Sequence, residues 1–334
     1  MLVCPEGVRI AATAHFLPEE VISNEELIKR TGIEATADWI YERTGIKERR
    51  WAPPEMATSD LVVPVVKQLC EDGGIEPNDL SRIIVATTSP DYPTPSTACI
   101  AHGKLGCTRW YPCVDTAASC TGFLYALDLG VRCVLTGEEH VVVVAAEMRS
   151  RYLNKKDRST VVLFGDGAGG VLLTKGEKGK GLLAIGTFAE GAGAKSVYIP
   201  AGGSAKPASN ETITNGEHGL LMADGAQVFV AAVEGMQTST KMVLESLSLK
   251  AAELDLVIPH QANGNMLREV EKGFGFGQGK VMNAIEKMGN TSSSAVAICL
   301  DKAIREGRVG KDSLIGLVAV GGGHTAGAAV IRWE

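Results

Sequence analysis

The chain has 334 residues, 45% hydrophobic, 22% charged and 5% aromatic, enough to bury a large core without metals or disulfides. Its net charge of −6 excludes a general nucleic-acid binder, which grips phosphates through clustered Lys and Arg. Apolar stretches such as Val141 to Ala146 fall far short of the about 20 residues a membrane-spanning helix needs. The start, MLVCPEGVRI, lacks the basic-then-apolar order of an export signal, so a cytoplasmic protein without membrane contact is expected. Eight cysteines with no CxxC pair suit neither a zinc site nor a disulfide framework, and no metal is expected.

Along the chain, helix-like segments alternate with short β-branched runs. DLVVPVVKQLCEDGG leads to SRIIVATTS, then CTGFLYALDLGVRCVLTG to EHVVVVAAE, then comes VVLFGDGAGGVLLT. Continuous apolar strands between helices predict a sheet covered on both faces and an α/β layering. The stretch from GTFAEGAG to GEHG, rich in Gly, Ala, Ser and Asn, reads as a long excursion over the surface. The earlier order then returns: KMVLESLSLKAAE, LDLVIPHQ, a helix, GNTSSSAVAICLDKAIREG and DSLIGLVAVGGG. Val85 and Ile258 are 173 residues apart, Cys120 and Asn290 170, and Val143 and Leu317 174. These similar offsets predict a duplicated unit with halves at 1–178 and 179–334.

Cys120 follows a short strand and opens an apolar helix, where the positive end of the helix dipole favours a thiolate nucleophile. His260 stands at the C-terminal end of the strand LDLVIP, the edge where open α/β folds place their sites. Asn290, at another strand-to-helix junction, is expected at the repeat position of Cys120. Each alone also suits a structural role, as a core thiol, a satisfied histidine and an N-cap. The duplication predicts that the three converge.

These residues lie in motifs that span nearly the whole chain: WIYERTGIKERR, VATTSPDYPTPSTAC, DTAASCTGF, VVLFGDGAG, DGAQVF, VIPHQAN, GNTSSSA and VGGGHTAG. In this order they resemble the β-ketoacyl-acyl carrier protein synthase III family of the thiolase superfamily. The resemblance implies a five-layered αβαβα fold, a homodimer, and a catalytic triad of Cys120, His260 and Asn290. It implies acyl-CoA as substrate with no tightly bound cofactor. Cys120 would take the acyl group, and a malonyl thioester on acyl carrier protein or CoA would then be decarboxylated and condensed with it. The backbone N–H groups of Cys120 and Gly322 are expected to form an oxyanion hole, and Trp39, Arg43 and Arg158 to hold the nucleotide end of CoA.

Four positions expected at the acyl pocket are Thr94, Phe164, Val320 and His324. Thr94 stands where short-primer members carry an aromatic at the dimer interface, which predicts a medium, long or bulky acyl group. Val320 replaces a Phe associated with decarboxylation, and His324 replaces another aromatic. Val230 and Asn265 lie where carrier-binding cations are usual, leaving Arg268 and Lys272 nearby. Two alternatives follow: acyl transfer to an oxygen or nitrogen nucleophile without decarboxylation, or a silent partner subunit. A thiolase is disfavoured because VGGGHTAG lacks a second cysteine.

Overall fold

The computed structural model describes residues 1–4, 7–275 and 279–334. Among the described residues ten strands form the main sheet: β1 (Leu2–Val3), β2 (Val8–Phe16), β3 (Arg82–Ala86), β4 (Cys113–Thr116), β5 (Val141–Met148), β6 (Asp166–Lys175), β7 (Gly181–Ala189), β8 (Leu256–Pro259), β9 (Leu314–Gly321) and β10 (Thr325–Arg332). The helices that position the site are α1 (Ala37–Thr44), α2 (Thr58–Gly73), α3 (Gly122–Leu135), α4 (Gly225–Ser246), α5 (Gly264–Gly273) and α6 (Ala295–Arg305).

The strand order is β8-β9-β10-β7-β2-β6-β5-β3-β4, with β1 paired to β7. It is two arrays joined at a seam: β2 meets β7 through the single pair Val8↔Gly181. In the first array β3 lies parallel to β4 and β5, and β6 runs antiparallel to β5 and β2. In the second, β8 is parallel to β9, and β10 runs antiparallel to β9 and β7.

Strand alternation sorts the side chains into layers. Ile84, Val143, Val171 and, from the second array, Ile258, Leu317 and Ile331 face one shared central cluster with α3 and α6. Ile83, Val85, Val142 and Val144 face the other way, onto α2. Val257, Val318, Val330 and Ala328 face α4 and α5. The layers are therefore helix, sheet, a central helix pair, sheet, helix, the thiolase-like αβαβα arrangement. β5 reads as a continuous apolar run because helices cover both of its faces.

Two expectations change in detail. The start of the surface excursion, Gly186 to Ala189, belongs to β7, because its backbone continues the antiparallel ladder opposite Thr325 to Ala328 of β10. The remainder is mostly exposed and carries the short pairing of Val197–Tyr198 with Leu221–Met222. The repeat offset is also 173 at the site: the 3₁₀ turns Ser119–Thr121 and Ser292–Ser294, the helix starts Gly122 and Ala295, and strands β5 and β9 all keep it. The position equivalent to Cys120 is thus Ser293, three residues beyond Asn290.

Candidate active site

Cys120 lies in the middle of the 3₁₀ turn that links β4 to α3. Ser119 before it has φ 52°, and its counterpart Ser292 has φ 55°, a left-handed backbone that non-glycine residues rarely adopt. The end of β9 presses on this turn: a Cβ at Gly321 would stand 2.8 Å from the Cys120 nitrogen. Only glycine permits that approach. Thr325 ties the following loop to the turn by bonding with Thr121 and donating to the Ala118 carbonyl at 3.3 Å.

A cavity of about 460 Å³ opens over the turn, and Cys120, His260, Asn290, Gly322, Phe164, Val320 and His324 all line it. His260, at the end of β8, is 2% exposed and donates its backbone N–H to the Val318 carbonyl at 2.7 Å. Burial pushes its imidazole down to about 4, so the ring is neutral at ordinary pH. Asn290 is held by backbone bonds to Leu163 and Gly165. Its Oδ1 accepts the Ser292 N–H at 2.8 Å, which fixes the amide so that Nδ2 is the donor; its contact to the Ala262 carbonyl is a long 3.4 Å. One neutral imidazole and one carboxamide therefore share a wall with the thiol.

The thiol itself departs from expectation. Burial raises the Cys120 pKa, while the Ser292 hydroxyl, the Arg149 charge and Ser119 pull the other way; the net shift is upward. Desolvation is the largest effect and the nearby Glu147 charge adds to it, so the thiol form is favoured. Its Sγ lies 3.5 Å from Ser292 Oγ. Behind this pair sits Glu147, fully buried at the end of β5, which accepts from Ser89 Oγ at 2.6 Å, Ser293 Oγ at 3.0 Å and Thr88 Oγ1 at 3.0 Å. Sequence reasoning missed Glu147 and Ser292. An acidic residue closing the apolar run HVVVVAAE was the available signal.

Phe164 lies under the Arg149 guanidinium, 5.7 Å from the ring centroid. The His324 ring packs where a Cβ on Gly193 would sit, 2.6 Å away, and its Nε2 is buried without a partner among the described residues. Trp39, half-buried on α1, and Arg158 form a stacked pair with 5.3 Å from guanidinium to ring. Trp39 shares an apolar cluster with Leu163, Phe164 and Val197, which carry the wall inward to the cavity. Arg43 is exposed on the same helix. Thr94 is also exposed and does not line the cavity of this chain. Val230 is 55% exposed, Asn265 donates to the Arg43 carbonyl and accepts from Arg268, and Lys272 pairs with Glu269 at 3.2 Å, so Arg43 and Arg268 are the exposed cations of this face with no carboxylate partner among the described residues. Among the described residues no cluster could hold a metal, and no helix is long and apolar enough to cross a membrane.

Two central helices, each entered through a strained 3₁₀ turn, one bearing a cysteine and the other following an asparagine, are the architecture of a thiolase-fold condensing enzyme. A solved 3-oxoacyl-[acyl-carrier-protein] synthase III from Aquifex aeolicus has this fold, with TM-score 0.89, 36% identity, and 98% of this chain and 100% of that one covered. Family models described as 3-oxoacyl-[acyl-carrier-protein] synthase III and its C terminal match residues 114–191 and 244–333. The β-ketoacyl-[acyl-carrier-protein] synthase III of Caldanaerobacter subterraneus is 42% identical over 326 residues, 97% of each chain, and that of Natranaerobius thermophilus 39% over 332 residues, 98% of this chain and 99% of that one. The chain belongs to the β-ketoacyl-[acyl-carrier-protein] synthase III family and is an acyltransferase of the condensing class.

Proposed function

We propose that this enzyme loads an acyl group from acyl-CoA onto Cys120 and condenses it with a malonyl thioester, acting as a homodimer. The observation that carries this reading is the convergence of Cys120, neutral His260 and Asn290 on one cavity. The Trp39–Arg158 pair, with Arg43 close by, suits an adenine ring and phosphates at the outer end. In the first half-reaction Sγ bonds to the thioester carbon, CoA sulfur leaves, and the thiol proton ends on CoA. The Cys120 and Gly322 N–H groups serve the developing oxyanion. In the second, carbon dioxide leaves the malonyl group and its bonding pair becomes an enolate. His260 and Asn290 donate to the enolate oxygen; neither is charged, so neither holds the carboxylate back. The carbanion then bonds to the acyl carbon and releases Cys120.

The free edge of β4 supports the dimer. Val114 on that strand is 40% exposed and Trp110, three residues before it begins, 96%; a strand edge with no partner among the described residues invites a second chain. The test is intact mass after incubation with acyl-CoA, followed by release of labelled carbon dioxide from malonyl-acyl carrier protein or malonyl-CoA. Wild type should gain one acyl group and Cys120→Ser none; Asn290→Ala should still load but condense about 100-fold more slowly, the loss typical for one oxyanion donor. Loading without any carbon dioxide would favour transfer to an oxygen or nitrogen nucleophile, a reading that Val320 and the uncharged Val230 and Asn265 support. No adduct at all would make the chain a silent partner.

A further inference from the structure

The two helix starts of the central layer touch: a Cβ on Gly122, at the head of α3, would stand 3.1 Å from Ser293 Cβ. This approach puts Ser292 between the nucleophile and the buried acid. Its Oγ lies 3.5 Å from Cys120 Sγ on one side and 3.5 Å from Glu147 Oε1 on the other. The next two serines have closer partners, since Ser293 Oγ donates to Glu147 at 3.0 Å and Ser294 Oγ to the Thr291 carbonyl at 2.9 Å. Ser292, 2% exposed, has a buried hydroxyl whose hydrogen-bond partners among the described residues are the sulfur and Glu147.

Glu147 has donors in plenty. The Thr88 N–H reaches Oε1 at 3.2 Å and Ser89 Oγ reaches Oε2 at 2.6 Å. Donors behind these hydroxyls turn their hydrogens toward the acid: the Met148 N–H donates to Ser89 Oγ at 2.8 Å, and Arg149 Nη1 to Thr88 Oγ1 at 2.9 Å. Glu147 therefore keeps several bonds if Ser292 turns away. The Ser292 hydroxyl, by contrast, has one hydrogen and two acceptors to choose between.

The geometry points to Ser292 as a further catalytic residue, a hydroxyl that turns from Glu147 to the Cys120 sulfur whenever that sulfur carries negative charge, with Glu147 as the positioning residue that draws it back. Beside the thiol, the hydrogen goes to Glu147 and the Ser292 oxygen accepts from S–H. Beside a thiolate it swings to sulfur, which gains a charge-assisted bond while Glu147 loses one donor of several. The assignment rests on the proposed acylation of Cys120. As Sγ bonds to the thioester carbon, its S–H bond breaks and the proton goes to the departing CoA sulfur. In the condensation the bond from the acyl carbon to Sγ breaks, its electron pair stays on sulfur, and the sulfur then takes a proton from water. Ser292 donates in both steps and transfers no proton. The other titratable groups facing this place are Arg149 beside Glu147, and His260 and His324 on the cavity wall.

The test is the pH dependence of Cys120 alkylation by iodoacetamide in the full-length enzyme, read by peptide mass with the exposed Cys99 as internal reference. Ser292→Ala should move the Cys120 midpoint up by about one pH unit, the loss of one bond to a charged group. Glu147→Gln should move it down, because the competing charge is gone and a neutral amide holds the hydroxyl less firmly. Acetyl-CoA loading by Ser292→Ala should fall about tenfold at neutral pH and recover as pH rises, which a packing defect would not do. Midpoints unmoved in both variants, or moved in the same direction, would overturn the assignment. Opposite shifts in an enzyme that no acyl-CoA loads would uphold the turning hydroxyl and refute the acylation instead.

Discussion

Cys120 sits where two electrostatic effects oppose each other: the head of α3 favours a thiolate, and burial favours the thiol. The net shift is upward, toward the thiol form. His260 shows the same physics with a measurable signature. An unfolded imidazole protonates near pH 6.5, whereas burial holds His260 near 4. Between those values the unfolded state binds a proton that the folded state does not, so stability falls as pH drops through that window. The difference is worth about 3 kcal/mol. Urea unfolding at pH 7 and pH 4 should therefore show a smaller acid loss for His260→Asn than for wild type; parallel losses would contradict a neutral buried ring.

At the scale of elements, the site is assembled by strand ends and helix starts that recur after 173 residues. The alternation of strands and helices was legible because fully covered strands such as β5 are uninterrupted apolar runs. The convergence of Cys120, His260 and Asn290 was legible because the repeat brings equivalent junctions together. The register within the turn was not: Ser119 and Ser292 share a left-handed backbone that a serine does not advertise in sequence, so Asn290 was aligned with Cys120 in place of Ser293. The Gly186 to Ala189 end of β7 was hidden because its composition resembles the loop that follows. Also invisible was the long-range network at α6. Asp301, 1% exposed, accepts from Thr13 Oγ1 at 2.7 Å, bonds His15 Nδ1 at 2.5 Å and holds Arg305 at 2.8 Å, fixing α6 to β2. Its carboxyl is pulled below the usual range, because the hydrogen bonds from His15, Arg305 and Thr13 outweigh burial, the largest single effect. Asp301→Ala should strip buried partners of their acceptor and lower unfolding stability by about 3 kcal/mol at neutral pH, measured by urea denaturation. A change below 1 kcal/mol would mean that α6 is held by packing alone.

At the scale of the molecule, the edge of β4 is where the proposed dimer can be checked. Val114→Lys places a charge beside an unpaired edge, the usual protection against strand pairing. Sedimentation should show wild type as a dimer and the variant shifted toward monomer; an unshifted variant would move the interface elsewhere. The central layer carries another implication. The inner face of the first array is closed by α6, which lies close to the C-terminus, and β1, at the opposite end, adds to the second array. Because α3 and α6 each pack on the shared central cluster, either half folded alone would leave a broad oily surface bare until the other half covers it. A chain with only one array folded would therefore be prone to self-association, and the two arrays are expected to become stable together.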